Sequence, residues 1–266
     1  MTIFINEKKV EIETPCMISV LKEKYKSNAD IVVYNGHIVS EDLKVNDGDS
    51  IFFIKRGEMP PEEELEFLMM ARHTPGVHKK LKNAKVAICG LGGLGSNIAI
   101  SLARMGIGYI KLIDFDIVEP SNLNRQQYFI DQIGMYKTDA ILENLKKINP
   151  YITYEAINIY INKDNIENLL FDVDVIVEAF DKAENKAMLI SNASKLFREK
   201  CIIGASGVAG LYDTSLLKVK KLSSNVYIVG DFENEAKPGQ GLMATRVAVA
   251  ANIQANLVVR YILEEL

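Results

Sequence analysis

A chain of 266 residues, 48% of them hydrophobic, has material for one large core or two modest ones. Its formal net charge of -4 argues against a broad polyanion-binding surface, so nucleic acid is not an expected partner. Three widely spaced cysteines, Cys16, Cys89 and Cys201, form no C-x-x-C pair, which excludes a disulfide framework or a four-cysteine zinc site and fits a reducing compartment.

Residues 1–57 read as a small unit. Alternating Ile3 and Ile5, a turn through Asn6-Glu7-Lys8-Lys9, and the returning Val10 and Ile12 predict a hairpin. Residues 18–25 suit a short helix, 31–34 a third strand, Asn35-Gly36 a turn, and 50–55 a last strand after Asn46-Asp47-Gly48-Asp49. This ββαββ order predicts a β-grasp module. Its closing run, Asn46-Asp47-Gly48-Asp49-Ser50-Ile51-Phe52-Phe53, resembles that of the ThiS and MoaD sulfur-carrier proteins. Those carriers end in a free Gly-Gly tail, whereas this chain continues Arg56-Gly57-Glu58-Met59-Pro60-Pro61. The module is similar to a carrier that has lost its carrier end.

Residues 58–84 read as a linker helix and loop. Pro60 and Pro61 mark a boundary, Glu62, Glu63 and Glu64 suit the positive end of a helix dipole, and Leu65, Leu68 and Met69 form an apolar stripe. Arg72 then has two readings, a linker position packed on the larger domain or a reach into a neighbouring protomer's site.

Residues 85–266 alternate short apolar strands with amphipathic helices. Strands are expected at 85–89, 109–113, 152–157, 174–178, 201–204, 213–219 and 225–229, and helices at 95–105, 130–148, 162–170, 184–198 and 242–264. The pattern predicts an α/β, Rossmann-like, mostly parallel sheet covered on both faces, its last two strands pairing antiparallel. No run reaches the about 18 uninterrupted apolar residues of a membrane span, and the N-terminus has no basic stretch leading into a long apolar one. A soluble cytoplasmic protein without membrane association is expected.

Chemistry concentrates between Lys85 and Gln127. A buried strand runs into Gly90-Leu91-Gly92-Gly93-Leu94-Gly95, and a helix follows, the order in which backbone N–H groups can receive a nucleotide phosphate. Gly90, Gly92, Gly93 and Gly95 are therefore candidate nucleotide-binding positions. Asp114, ending the second strand, can accept ribose hydroxyls, with Asp116 beside it. These features serve NAD and ATP alike. Two cations downstream favour ATP: Arg125, in Ser121-Asn122-Leu123-Asn124-Arg125-Gln126, and Lys137, after Gly134-Met135-Tyr136. Hydride transfer needs no cations beside the pyrophosphate, whereas a triphosphate under attack does. Asp181, following an apolar strand, can hold Mg²⁺ at the same sheet edge or cap the helix starting near Glu184.

Together these motifs, with Ile148-Asn149-Pro150, resemble the ThiF, MoeB and HesA adenylyltransferases of the ubiquitin-activating superfamily, in the family's order and spacing over about residues 72–260. The resemblance to ThiF is closest. It implies ATP-dependent adenylylation of the C-terminal glycine carboxylate of a ThiS-type carrier, in thiamine thiazole synthesis or a related pathway. It further implies Asp114 on the ribose, Arg125 and Lys137 on the phosphates, Asp181 on Mg²⁺, and Asn122 and Gln126 in polar positioning, with a homodimer in which an arginine such as Arg72 acts across protomers. The paired C-x-x-C motifs of many relatives are missing, so no zinc is expected. The loop 231–241 has no cysteine for a thioester or acyl disulfide, so sulfur would come from a separate persulfide donor, and Cys201 reads as core rather than nucleophile. A regulator or scaffold, its fused module covering the carrier-docking surface, is the alternative function, and an NAD-dependent oxidoreductase a third.

Overall fold

The computed structural model describes residues 1–70, 76–237 and 240–266. The chain divides into two compact units, Met1–Pro75 and Gly76–Leu266.

The first unit contains β1 (Thr2–Ile5), β2 (Lys8–Glu11), α1 (Ile18–Lys26), β3 (Ile31–Tyr34), β4 (His37–Val39), β5 (Ser50–Ile54) and α2 (Glu62–Met70). Its strands lie in the order β2-β1-β5-β3-β4, and β1 and β5 run parallel at the centre. Ile3, Ile5, Ile51 and Phe53 turn one face of this sheet onto Ile18 and Leu21 of α1. That is a β-grasp arrangement with one strand more than the expected ββαββ order. The added strand, β4, has three residues and lies at an edge with Ile38 77% exposed, too short to show an alternating pattern. Asn35 and Gly36, both at positive φ, make the tight hairpin turn that leads into it.

The second unit contains α3 (Val77–Asn83), β6 (Lys85–Cys89), α4 (Gly93–Met105), β7 (Tyr109–Asp114), α5 (Lys137–Ile148), β8 (Thr153–Asn158), α6 (Ile166–Leu170), β9 (Val175–Glu178), α7 (Ala183–Leu196), β10 (Cys201–Ala205), β11 (Lys218–Lys221), β12 (Val226–Gly230) and α8 (Ala244–Ile262). Seven strands lie in the order β11-β12-β10-β9-β6-β7-β8. All pairs are parallel except β11 with β12, the expected antiparallel edge. The central strands bury both faces. Val86, Ile88, Ile110, Leu112 and Val177 pack with residues of α4, α5 and α8, while Ala87, Ile113, Ile176 and Ile202 pack with residues of α6 and α7. From β6 the chain crosses to β7 on one side, and β9 pairs on the other, so the strand order reverses at the glycine loop. Doubly wound sheets open their ligand crevice at such a switch, outside the carboxyl ends of the strands.

Several element bounds differ from expectation. Helix α4 begins at Gly93 rather than 95. The predicted helix 130–148 is interrupted: Ile130–Gln132 forms a 3-10 turn, Gly134 takes φ +89°, and only Lys137–Ile148 is α-helical. The helix expected from 162 starts at Ile166, because the Asn162 side chain accepts the Asp164 and Asn165 amides in a turn. Asp213 accepts the Ser215 amide and caps a 3-10 turn, Thr214–Leu216, so the strand predicted over 213–219 forms at Lys218–Lys221 instead. Among the described residues no helix is long and apolar enough to cross a membrane.

Candidate active site

Three parallel strands end together: β6 at Cys89, β7 at Asp114 and β9 at Glu178. The loop leaving β6 turns at Gly90, whose φ of +95° suits glycine and whose N–H donates to Ile113 O at 2.8 Å. A Cβ on Gly90 would meet the Ala179 carbonyl oxygen at 2.8 Å, and one on Gly95 would overlap the Gly90 carbonyl oxygen at 1.8 Å. The glycines therefore let the loop lie flush against the turn after β9 and against the first turn of α4. The first N–H groups of a helix have no partners within it, so the start of α4 presents donors and the positive dipole end to the crevice.

Asp114 anchors this loop to β7. Its Oδ2 accepts Leu91 N at 2.6 Å and its Oδ1 accepts Asp116 N at 2.8 Å. Each oxygen retains a second lone pair for a hydroxyl donor. Burial pushes the Asp114 carboxyl above the ordinary carboxylate range, and neighbouring Asp116 adds to this. The Asp116 and Leu91 amides and the Lys137 charge act in the other direction without overcoming it. Lys137, buried at the first turn of α5, donates to Asp116 Oδ2 at 2.9 Å, and its amide donates to Asp116 O at 2.9 Å. Asp116 thus holds Lys137 at the crevice edge.

The segment carrying Arg125 folds over the start of α4. Ser96 Oγ accepts Gln127 N at 3.1 Å, Asn97 Nδ2 donates to Arg125 O at 3.2 Å, and Tyr128 Oη donates to Leu91 O at 2.7 Å. Asn122 is buried and structural in part, its Oδ1 accepting Glu119 N at 3.1 Å. A Cβ on Gly93 would touch Arg125 Cγ at 3.4 Å and Val247 of α8 at 3.0 Å, while one on Gly92 would face Gln126 Nε2 at 3.9 Å. The Arg125 guanidinium donates through Nη1 to Ser121 O at 3.2 Å and to Asn124 Oδ1 at 2.8 Å. Among the described residues, Arg125 Nε and Gln126 Oε1 are buried without a hydrogen-bond partner. Buried polar atoms are almost always satisfied, so these two, beside the glycine loop, are vacant valences a ligand could fill.

Asp181 lies just past β9 with its side chain exposed. It does not cap the next helix: α7 begins at Ala183, and its N-cap, Lys182, makes no side-chain cap bond. Among the described residues no group of three His, Cys, Asp or Glu side chains could hold a metal alone. A single carboxylate still fits magnesium that shares its other oxygen ligands with phosphates and water. Arg72 falls outside the described residues. Cys201 is fully buried, and burial pushes its thiol up to about 12, as a core cysteine requires.

Sequence reasoning missed two buried ion pairs at this end of the sheet. Glu178 pairs with Lys186 at 3.0 Å, and Arg246 of α8 pairs with Asp231 at 2.5 Å while donating to Tyr212 O and Asp213 O. A charge inside an apolar run was the available signal, because burying one demands a partner. Glu178 follows Val175-Ile176-Val177, and Arg246 sits between Ala244-Thr245 and Val247-Ala248. A cavity of about 460 Å³ lined by Ser194, Arg198 and Asn225 opens near the start of β12, away from the glycine loop.

The ThiF family model matches residues 67–265, and a model described as ThiS-like ubiquitin matches residues 1–57. The chain is 32% identical over 156 residues to the tRNA threonylcarbamoyladenosine dehydratase of Haemophilus influenzae, covering 58% of this chain and 59% of that protein. It is 33% identical over 136 residues to the molybdopterin-synthase adenylyltransferase of the same organism, covering 50% of this chain and 56% of that protein. The chain thus spans little more than half the length of these relatives. The ATP complex of Escherichia coli tRNA N6-threonylcarbamoyladenosine dehydratase, TcdA, shares the fold with a TM-score of 0.68 at 22% identity, over 74% of this chain and 93% of that one.

Proposed function

The chain belongs to the ThiF family, and from that premise we propose that it adenylylates the C-terminal glycine carboxylate of a ThiS-type sulfur carrier with ATP, in thiamine thiazole synthesis or a related sulfur-transfer pathway. The observation that supports this most is the pair of vacant buried valences, Arg125 Nε and Gln126 Oε1, beside a glycine loop anchored by Asp114.

In this reading a carrier carboxylate oxygen bonds to the α-phosphorus of ATP, the bond from that phosphorus to the bridging oxygen breaks, and pyrophosphate departs with its electron pair. The attacking carboxylate, with a reference pKa of about 3.5, is already ionised near neutrality and needs no general base. Repulsion between anions is the obstacle, and cations remove it. Asp114 receives the ribose, the start of α4 and Arg125 face the phosphates, and Lys137 exchanges its Asp116 partner for phosphate oxygen. Asn122 and Gln126 hold the surrounding polar geometry. Asp181 would hold Mg²⁺, which supplies charge neutralisation at the phosphates when bound. Sulfur comes from a separate persulfide donor, and the working form is a homodimer to which Arg72 contributes across protomers.

Purified protein with ATP, Mg²⁺ and a Gly-Gly-ended β-grasp carrier should catalyse carrier-dependent exchange of pyrophosphate into ATP. Arg125→Ala should lower that exchange by about 10²-fold or more with the fold intact. Intact ATP binding with no exchange on any carrier overturns the proposal. A second reading is favoured by the chain's continuation through Arg56-Gly57-Glu58 where a carrier would end. In this reading the fused module regulates carrier docking, and removing residues 1–57 would raise exchange.

A further inference from the structure

The pair between the buried Glu178 and Lys186 lies outside every role assigned above, and one of its contacts reaches the short turn that carries Asp181. Glu178 is the last residue of β9 and is fully buried. Its Oε1 accepts Phe180 N at 2.7 Å and Lys186 Nζ at 3.0 Å, while its Oε2 accepts Ala205 N and Lys186 Nζ, each at 3.3 Å. Its backbone carbonyl accepts Gln254 Nε2 of α8 at 3.2 Å. One carboxylate therefore ties the end of β9 to the end of β10, to the second turn of α7 and to the peptide that begins the turn carrying Asp181.

That turn is also the wall against which the glycine loop rests. A Cβ on Gly90 would come within 2.8 Å of Ala179 O and 3.1 Å of Phe180 Cδ1. On the opposite side a Cβ on Gly204 would sit 3.0 Å from Glu178 Oε2, so the carboxylate lies close over β10 in space that a side chain at 204 would crowd. Residues 179–181 are thus fixed from below by Glu178 and bear on Gly90 from the side. A buried ion pair rarely adds net stability over apolar packing, but a directional one can fix register.

We propose that Glu178 and Lys186 are positioning residues that set the 179–181 turn, and with it the Asp181 carboxylate, against the glycine loop. They govern turnover rather than nucleotide affinity. The inference rests on the adenylylation reading for its kinetic consequence and on geometry alone for its structural one. Lys186 Nζ neutralises and orients the Glu178 carboxylate. The carboxylate in turn orients the Phe180 amide. Neither side chain needs to touch the substrate. A displacement of about 1 Å in a group facing the reacting atoms costs on the order of 10²-fold in rate, which sets the expected scale.

Three variants of the full chain, Glu178→Gln, Lys186→Met and Lys186→Arg, test this with two readouts. In carrier-dependent pyrophosphate exchange, Glu178→Gln and Lys186→Met should lower kcat by on the order of 10²-fold while the KM for ATP changes by less than about 3-fold, and Lys186→Arg should restore most of kcat. Hydrogen exchange should show faster exchange of the Phe180 and Ala205 amides in the first two variants, with β6 and β7 unchanged. Unaltered kcat, or a loss confined to KM, overturns the proposal. If Glu178→Gln does not fold, Lys186→Met carries both readouts, since Lys186 is partly exposed on a helix. If the unmodified protein shows no exchange with any carrier, the adenylylation reading fails. The amide protection still decides the positioning role: unchanged protection at 180 and 205 overturns it, and a local increase in exchange supports it.

Discussion

The two units of this chain place their charges in opposite ways. Residues 1–75 hold 14 acidic and 9 basic side chains, so the excess negative charge of the protein lies there, while residues 76–266 hold 21 acidic and 22 basic ones. In the first unit charges meet at the surface, as Lys55 with Asp30 and Lys8 with Glu63, both partly or largely exposed. In the second, near balance hides internal pairs: Lys111 with Asp172, Lys186 with Glu178, Arg246 with Asp231. Exposed pairs contribute little to stability, and buried ones are costly to break singly. The difference shows where the chain holds side chains at fixed positions, and it is the unit with the glycine loop.

The largest expected effect is at Arg246. Arg246→Ala leaves Asp231 buried without its cation and should destabilise the second unit by about 4 kcal/mol, measured by native-state hydrogen exchange, which resolves the units separately. The pair also has a pH signature. Burial alone would raise the Asp231 carboxyl, but the Glu233 and Asn234 amides, the Asn234 side chain and the Arg246 charge outweigh it and hold it below the ordinary range. A depressed carboxyl contributes stability that is fully present above its unfolded value of about 3.9 and is lost as pH falls through the folded value. The stability gap between the parent and Asp231→Asn should therefore be widest above about pH 4 and close on further acidification.

Gly95→Ala comes next. Its Cβ would overlap a backbone carbonyl at 1.8 Å, which no rotamer relieves, so a loss of about 3 kcal/mol and of ATP binding is expected by urea unfolding and nucleotide titration. Gly36→Ala in the first unit sharpens the contrast, because among the described residues nothing lies within 4 Å of the new Cβ and only the φ of +85° is strained. About 1 kcal/mol should be lost there, with nucleotide binding untouched. The smallest effect belongs to Lys55→Ala, which should leave the urea midpoint within measurement error. A large shift at Lys55, or none at Arg246, would break the distinction between the units.

The framework of the candidate site was legible because its signals are local. The glycine run must follow a strand and open a helix, and Asp114 must end the next strand, so adjacent residues carry the information. Glu178 with Lys186 and Arg246 with Asp231 were missed because each pairing depends on which elements the fold brings together, although the lone charge in an apolar run was visible. The misplaced strand near 213–219 and the overlong helix from 130 have another cause. Asp213 and Gly134 impose turns where apolar residues continued the apparent period. The short β4 left too few residues for any period at all.

The antiparallel edge of the larger sheet has a consequence for how the protein meets its own kind. Strand β11 offers an open row of backbone donors and acceptors, yet three of its four residues are the lysines 218, 220 and 221, all exposed. Lys220 and Lys221 rest over the rings of Phe232 and Tyr227, keeping their charge close to the strand. An incoming strand would have to strip water from those cations before its first hydrogen bond formed. Edge-to-edge pairing of crowded copies is thereby disfavoured. Neutral residues at 218, 220 and 221 would lower solubility well before they lowered stability.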